Sequence, residues 1–282
     1  NILKDIKFLF FDNFNRPNKT PLHLSVIQRR LEEKHNFWNV TDGLKKLIVD
    51  RTLQVQKQET KNAGTVKFYY PTKIISKVED KKEITNKIKR ISRHIERYSK
   101  PKNTDMLGRY LHALVRKELK IHGFEILSEG KVKSYQGKNW EDTGHSMDII
   151  AKHTEKKKGI GVEIKNTLDP IEKGELEIKI KLCKKIGIIP IFACRWLEPY
   201  KKEIIQNGGF PWQFKEQIYP IGQEQFVEEM KKKFRFPIEV RDEIPENIIN
   251  SSLIGLVQVP VNPVFYFNHR VSSFLCLRLP SM

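Results

Sequence analysis

Asp148, Glu163 and Lys165 form the pattern with the most chemical content in this chain. They lie in two short apolar runs, Met147-Asp148-Ile149-Ile150-Ala151 and Ile160-Gly161-Val162-Glu163-Ile164-Lys165. Side chains alternate along a strand, so Ile160, Val162 and Ile164 share one face while Gly161, Glu163 and Lys165 share the other. A run this rich in Ile and Val rarely sends out a carboxylate and an ammonium together unless that face is solvated or functional. Two acids and a lysine on adjacent strands read as a metal-dependent phosphodiesterase site. The same Glu-x-Lys spacing recurs at Glu32-Lys34, Glu177-Lys179 and Glu229-Lys231, where it reads as solvated helix face. Only Glu163-Lys165 is set in a β-branched run, behind a second apolar strand that carries an acid. The polar turn from His153 to Lys158 suits a hairpin between them. An ordinary half-exposed hairpin is the competing reading.

The elements that must position these residues can be read on both sides. Gly108 to Lys120 has a helical apolar stripe of Leu107, Leu111, Leu114, Val115 and Leu119, with Glu118 inside it, and stops near His122-Gly123. A carboxylate on such a stripe needs a partner or a route to solvent at the helix end. Strands are expected at Phe124 to Ser128, Ser146 to Lys152 and Ile160 to Lys165. Ile171 to Lys185 then reads as a helix, and Ile186 to Cys194 as a buried strand. A strand reached through a helical crossover implies parallel pairing. Lys179 and Lys181 on that helix read as a solvated face within reach of a phosphate. A helix near Pro199 to Gln206, a turn at Gly208-Gly209, a strand at Gln217 to Tyr219 and a helix from Gln223 to Phe234 follow. The fold class expected is α/β, a mixed sheet flanked by helices.

This order of elements with these acids resembles the PD-(D/E)XK nuclease superfamily, which includes restriction endonucleases; the resemblance covers about residues 104–250. It implies that Asp148 and Glu163 bind Mg²⁺, with Mn²⁺ able to substitute, that the Ile164 carbonyl adds a further oxygen, and that Lys165 is the catalytic lysine. Hard oxygen ligands suit Mg²⁺, which keeps several waters and shares its site with substrate phosphate. Met147 stands where the name-giving proline would be. Many relatives carry a glutamate on the first helix in the frame Glu-x-x-Val-x-x-x-Leu-x-x-x-Gly. Here the frame reads His112, Val115, Leu119, Gly123. His112 therefore occupies the glutamate slot, and a contact to metal, water or phosphate and a role-free flank histidine are equally weighted. Glu118 is the other candidate for a displaced acid.

Composition agrees with a nucleic-acid enzyme. The chain has 282 residues, room for two cores, and 52 Lys+Arg against 34 Asp+Glu give a formal net charge of +18. Such a surface attracts polyanions in a salt-dependent way. Three cysteines with no CxxC pair and eight histidines without zinc spacing argue against a disulfide scaffold or a zinc site. No membrane-spanning run or signal peptide is visible, so a cytoplasmic, intracellular location and no membrane partner are expected. No small-molecule cofactor is implied.

Residues 1–78 read as a separate module. Leu22 to Lys34 is an amphipathic helix with Thr20-Pro21 before it, and after a tight turn at His35 to Trp38 a second helix runs from Thr41 to Asp50. Strands Leu53 to Gln58 and Thr65 to Tyr70 form a hairpin. Helix, helix, hairpin resembles a winged helix-turn-helix domain. The resemblance implies that Asn39, Thr41, Asp42, Lys45 and Lys46 face bases or phosphates, and that Lys57 and Lys61 on the wing contact backbone. A protein-interaction module is the alternative. Residues 79–103 hold a charged linker helix with Ile84, Ile88, Ile91 and Ile95 at helical spacing, then a joint at Lys100 to Asp105. Glu129 to His145, with Lys131, Lys133 and Lys138, is expected to be a long polar substrate loop. Residues 251–282 are apolar and aromatic and receive no assignment.

The function expected from these features is a Mg²⁺-dependent endonuclease on double-stranded DNA, of restriction type, working as a homodimer or by sequential nicking. Two alternatives stand: a structure-selective repair or recombination nuclease, and a DNA-binding regulator with an inactive nuclease core.

Overall fold

The computed structural model describes residues 1–75 and 78–244; the segment expected at 251–282, and the last residues of the region expected to end at 250, lie outside them. The protein is mixed α/β, with a five-stranded mixed sheet and flanking helices.

The chain opens with α1 (Ile2–Phe10), a helix that sequence reading did not separate out; the Asn1 side chain caps it by accepting from Leu3 N at 3.1 Å. Its buried Ile6 presses on Gly43, where an added Cβ would lie 2.6 Å from Ile6 Cδ1, so the glycine permits the close approach. Next come β1 (Leu22–His23), α2 (Leu24–Leu31), α3 (Phe37–Val49), β2 (Leu53–Thr60) and β3 (Gly64–Pro71). The second helix therefore starts two residues later than its apolar spacing predicts: Leu22 and His23 pair antiparallel with Tyr69 and Phe68, and backbone pairing to β3 wins over helix propagation. The third helix begins at Phe37, inside the expected turn. The small sheet has the order β1-β3-β2.

The helix α4 (Val78–Tyr98) buries Ile84, Ile88 and Ile95, as their spacing predicts. Then α5 (Pro101–Ile121) takes Pro101 in its first turn, where proline's missing N–H removes no helical bond, so the helix runs through the expected joint at Lys100 to Asp105. After it come β4 (Phe124–Val132), β5 (Ser134–Tyr135), β6 (Lys138–Asn139), β7 (Met147–His153) and β8 (Gly159–Lys165). The expected open loop at Glu129 to His145 is corrected here. β4 continues to Val132 and β5–β6 form a small hairpin. Tyr135 and Trp140 anchor it, packed with Leu182, Cys183 and Ile186.

The remaining elements are α6 (Lys173–Ile186), β9 (Ile189–Cys194), α7 (Lys201–Gln206), β10 (Phe210–Gln213), β11 (Gln217–Tyr219), α8 (Glu224–Phe234) and β12 (Ile238–Val240). The main sheet runs β10-β9-β8-β7-β4. β4, β7 and β8 are antiparallel, and the α6 crossover makes β8 and β9 parallel as expected. β10, hidden in sequence by its shortness, adds a further parallel edge.

Each face of the sheet has its own cover. Leu111, Val115 and Leu119 of α5 pack with Ile149, Ala151, Ile160 and Val162. On the other face α6 approaches closely because Gly161 has no side chain: a Cβ there would meet Ile188 Cδ1 at 2.7 Å and Cys183 Sγ at 3.0 Å. The N-terminal core also takes in Tyr219, Val227, Met230, Phe234 and Ile238 from the last elements. Among the described residues no helix is long and apolar enough to cross a membrane.

Candidate active site

The alternation read from sequence sends Glu163 and Lys165 toward α6. Glu163 is 4% exposed, in register with Phe192, and Lys165 sits opposite Cys194 at the strand end. From β7, Asp148 Oδ2 accepts a hydrogen bond from Ile164 N at 2.8 Å, which ties its carboxylate to the Glu163–Ile164 peptide. Asp148, Glu163, Ile164 and Lys165 are thus one cluster.

Two residues of α6 complete it. Lys179 donates to Glu163 Oε2 and to the Ser146 carbonyl at 2.7 Å, while Glu175 accepts from Lys165. Lys179 is 6% exposed, so the expectation of a solvated face is corrected there: the close seating of α6 over Gly161 turns that side of the helix inward. Glu175 and Lys179 are an i,i+4 pair, a visible signal that the abundance of similar pairs in this chain conceals.

Burial raises the Glu163 carboxyl to about 7, and the negative charge of Asp148 pushes the same way; Lys179 opposes both. A buried acid made more basic by a second acid is an arrangement that a divalent cation relieves. Among the described residues no group of three or more His, Cys, Asp or Glu gathers around one point. Two carboxylates can nonetheless hold Mg²⁺, whose other positions go to water and phosphate. The donor set therefore suits a hard divalent ion, for which Asp148 and Glu163 would be the carboxylate ligands.

Lys165 and Glu175 border a cleft of about 970 Å³. Its far wall belongs to the N-terminal region and includes Ser25, Thr65 and Lys67; Thr104 and Gly108 of α5 close one side. His112 lies a turn further along α5, half-buried. Among the described residues it makes no hydrogen bond or ion pair to Asp148, Glu163 or Lys165. Glu118 is 8% exposed and lies a further turn and a half along the same helix.

The segment directly after Lys165 is fixed by buried polar contacts that sequence reading missed. Asn166 Nδ2 donates to the carbonyls of Leu107 (3.0 Å) and Ile218 (2.7 Å), and its Oδ1 accepts from Ile218 N at 2.9 Å. Gln217 donates to Asn166 O at 2.6 Å and accepts from the Tyr98 hydroxyl at 2.6 Å. Arg195, 1% exposed, donates through Nη1 and Nη2 to the Glu32 carboxylate at 2.9 and 2.8 Å and through Nε and Nη2 to Leu168 O. Arg29 joins Glu32 (3.0 Å) to Asp169. The helix α2 is thereby tied to the loop that carries the chain away from Lys165.

The expected nucleic-acid contacts are spread over separate elements. Lys45 and Lys46 are exposed on α3, with Lys45 paired to Asp42 at 2.8 Å. Asn39 is exposed at the rim of a cavity shared with Trp196 and Lys215. Thr41 is not offered outward: its hydroxyl donates to Phe37 O at 2.9 Å and accepts from Gln28 at 3.3 Å. Lys57 and Lys61 are exposed on the β2–β3 hairpin, and Lys131 and Lys138 on β4 and β6. Lys133 is half-buried and donates to Thr143 O at 3.2 Å, a contact that holds the folded loop.

No family model, curated protein or solved structure matches this chain.

Proposed function

We propose that the protein is a Mg²⁺-dependent endonuclease that hydrolyses phosphodiester bonds of double-stranded DNA, of the restriction-endonuclease-like kind. The observation that carries this reading is the joining of Asp148 and Glu163 through the Asp148–Ile164 hydrogen bond, with Lys165 next along the strand at the wall of an open cleft. Asp148 and Glu163 would hold the metal, with the Ile164 carbonyl as a further oxygen, and a divalent ion there would supply water activation and charge neutralisation at the phosphate. Lys165 reaches the phosphoryl oxygen that gains charge, and Glu175 holds its ammonium in place until substrate arrives. Lys179 offsets part of the penalty that burial and Asp148 place on the Glu163 carboxylate. His112 is a flank residue in this scheme.

The N-terminal helices and hairpin serve as a winged-helix DNA-binding module. Their order, the three-stranded sheet β1-β3-β2 and the exposed Lys45, Lys46, Lys57 and Lys61 support that reading. One site per chain against two strands calls for a homodimer or two sequential nicks.

The test is incubation of purified protein with unmodified and methylated plasmid, with Mg²⁺ or EDTA, beside Asp148→Asn. Discrete fragments that need Mg²⁺ and vanish in the variant are the expected result. Salt-sensitive binding with no cleavage of either plasmid overturns it.

A further inference from the structure

Away from this site, a second cavity of about 370 Å³ lies where β1, α2, α4 and α8 meet. Its floor is apolar, with Leu22, Val26, Ile91 and Phe234. Three cations from three different helices line it: Arg30, half-buried, and Arg90 and Lys233, both exposed at the rim. No carboxylate is among the residues that line it. Glu229, the nearby acid, is engaged with Lys233 (2.6 Å), Arg97 (3.2 Å) and His94 (3.4 Å). Arg30 Nε is buried without a hydrogen-bond partner among the described residues, and so is His23 Nδ1. Arg235 adds a like charge close enough to Arg30 to depress its proton affinity further, beyond the effect of burial.

An unpaired guanidinium drawn partly out of water beside other cations is unfavourable unless something balances it. Elsewhere this protein balances buried arginines with acids, as Glu32 does for Arg29 and Arg195. Here the balance is missing from the described residues, while a cavity at the small end of ligand-pocket size is present. Guanidiniums from two helices match a tetrahedral oxyanion through forked N–H donors, and the apolar floor suits a flat, weakly polar group attached to it.

We propose that this cavity binds a phosphate monoester on a nucleoside, with Arg30 and Arg90 on the phosphate and the apolar floor under the base. Two sources share that chemistry, a free 5′-nucleotide and the 5′-phosphorylated end of a strand. The site shares His23 with the cleft at Lys165 but takes its cations from other residues, and the proposal does not depend on the nuclease reading.

The test is thermal unfolding and calorimetric titration in low-salt, phosphate-free buffer with EDTA, so that cleavage plays no part. The probes are inorganic phosphate, adenosine 5′-monophosphate, and a short oligonucleotide with a 5′-phosphate or a 5′-hydroxyl. At tenfold saturation the phosphorylated probes are expected to raise the unfolding midpoint by about 3 °C or more. Arg90→Gln, at an exposed position, and Arg30→Gln should each weaken binding at least tenfold. Arg30→Gln without ligand should unfold no earlier than the native protein, because it removes an unbalanced charge. Tighter binding of the nucleotide than of inorganic phosphate supports the role of the floor, and equal binding overturns it. A tenfold preference for the 5′-phosphorylated oligonucleotide over its hydroxyl form assigns the strand end; binding of the mononucleotide without that preference assigns the free nucleotide. No shift with any probe, or shifts that persist in both variants, overturns the site.

Discussion

Two clusters of buried charge flank the loop that follows Lys165, and they differ in how their charges are balanced. In one, the Glu32 carboxylate is gripped by Arg29 and Arg195, and Arg195 also holds a backbone carbonyl. In the other, Asp148, Glu163 and Glu175 face Lys165 and Lys179, and Glu163 is left with its proton affinity raised to about 7. Balanced charge makes a rigid joint, whereas charge held under tension is ready to exchange a proton or accept a cation.

The sharpest way to break this contrast is Glu32→Ala. It leaves Arg195 buried without a carboxylate and Arg29 with Asp169 alone, and should destabilise the protein by about 3–5 kcal/mol, read by denaturant unfolding. A loss under 1 kcal/mol would show that the joint is not where stability resides. Next, Lys165→Ala and Asp148→Asn should each lower Mg²⁺-dependent cleavage by about 10²–10³-fold with the unfolding midpoint within a few degrees of native. Loss of folding instead would make these residues structural.

Glu163→Gln should do the reverse of Glu32→Ala. The native acid holds a proton up to about pH 7 but releases it near its ordinary value of 4.5 when unfolded. Between those values the folded state binds more protons, so stability falls as pH rises through the window. In EDTA at pH 8 the glutamine variant should be more stable by about 1–3 kcal/mol, with a flatter pH dependence from 4.5 to 7. A less stable variant at pH 8 would mean that Lys179 gains more from the carboxylate than burial takes away. The smallest effects are expected on the surface: Lys45→Ala and Lys46→Ala should each reduce the salt dependence of DNA affinity by about one counterion and change stability by about 0.5 kcal/mol or less.

The clustering of Asp148, Glu163 and Lys165 and the order of helices and strands around it were readable because they rest on short-range rules. Strand alternation put Glu163 and Lys165 on one face, and the helical crossover at α6 required a parallel β9. What escaped depends on contacts between distant parts of the chain. Leu22 looks helical until β3 arrives to pair with it. Tyr135 and Trp140 look like a loop until α6 offers them a surface. Lys179 resembles dozens of solvated lysines, and only the close seating over Gly161 makes it different. Arg195 gives no local signal at all, since its partner is 163 positions away.

The Arg195–Glu32 joint also bears on how such a protein can change over generations. A recognition module on a loose tether can be traded for another like a cassette, and target choice can then drift quickly. Here any replacement for the N-terminal helices must bring an acid to the position of Glu32 and a basic partner for Asp169. Grafts that lack them would strand Arg195 in the interior, so on the proposed DNA-binding reading new specificities should arise by substitutions on the exposed face of α3 rather than by exchange of whole modules.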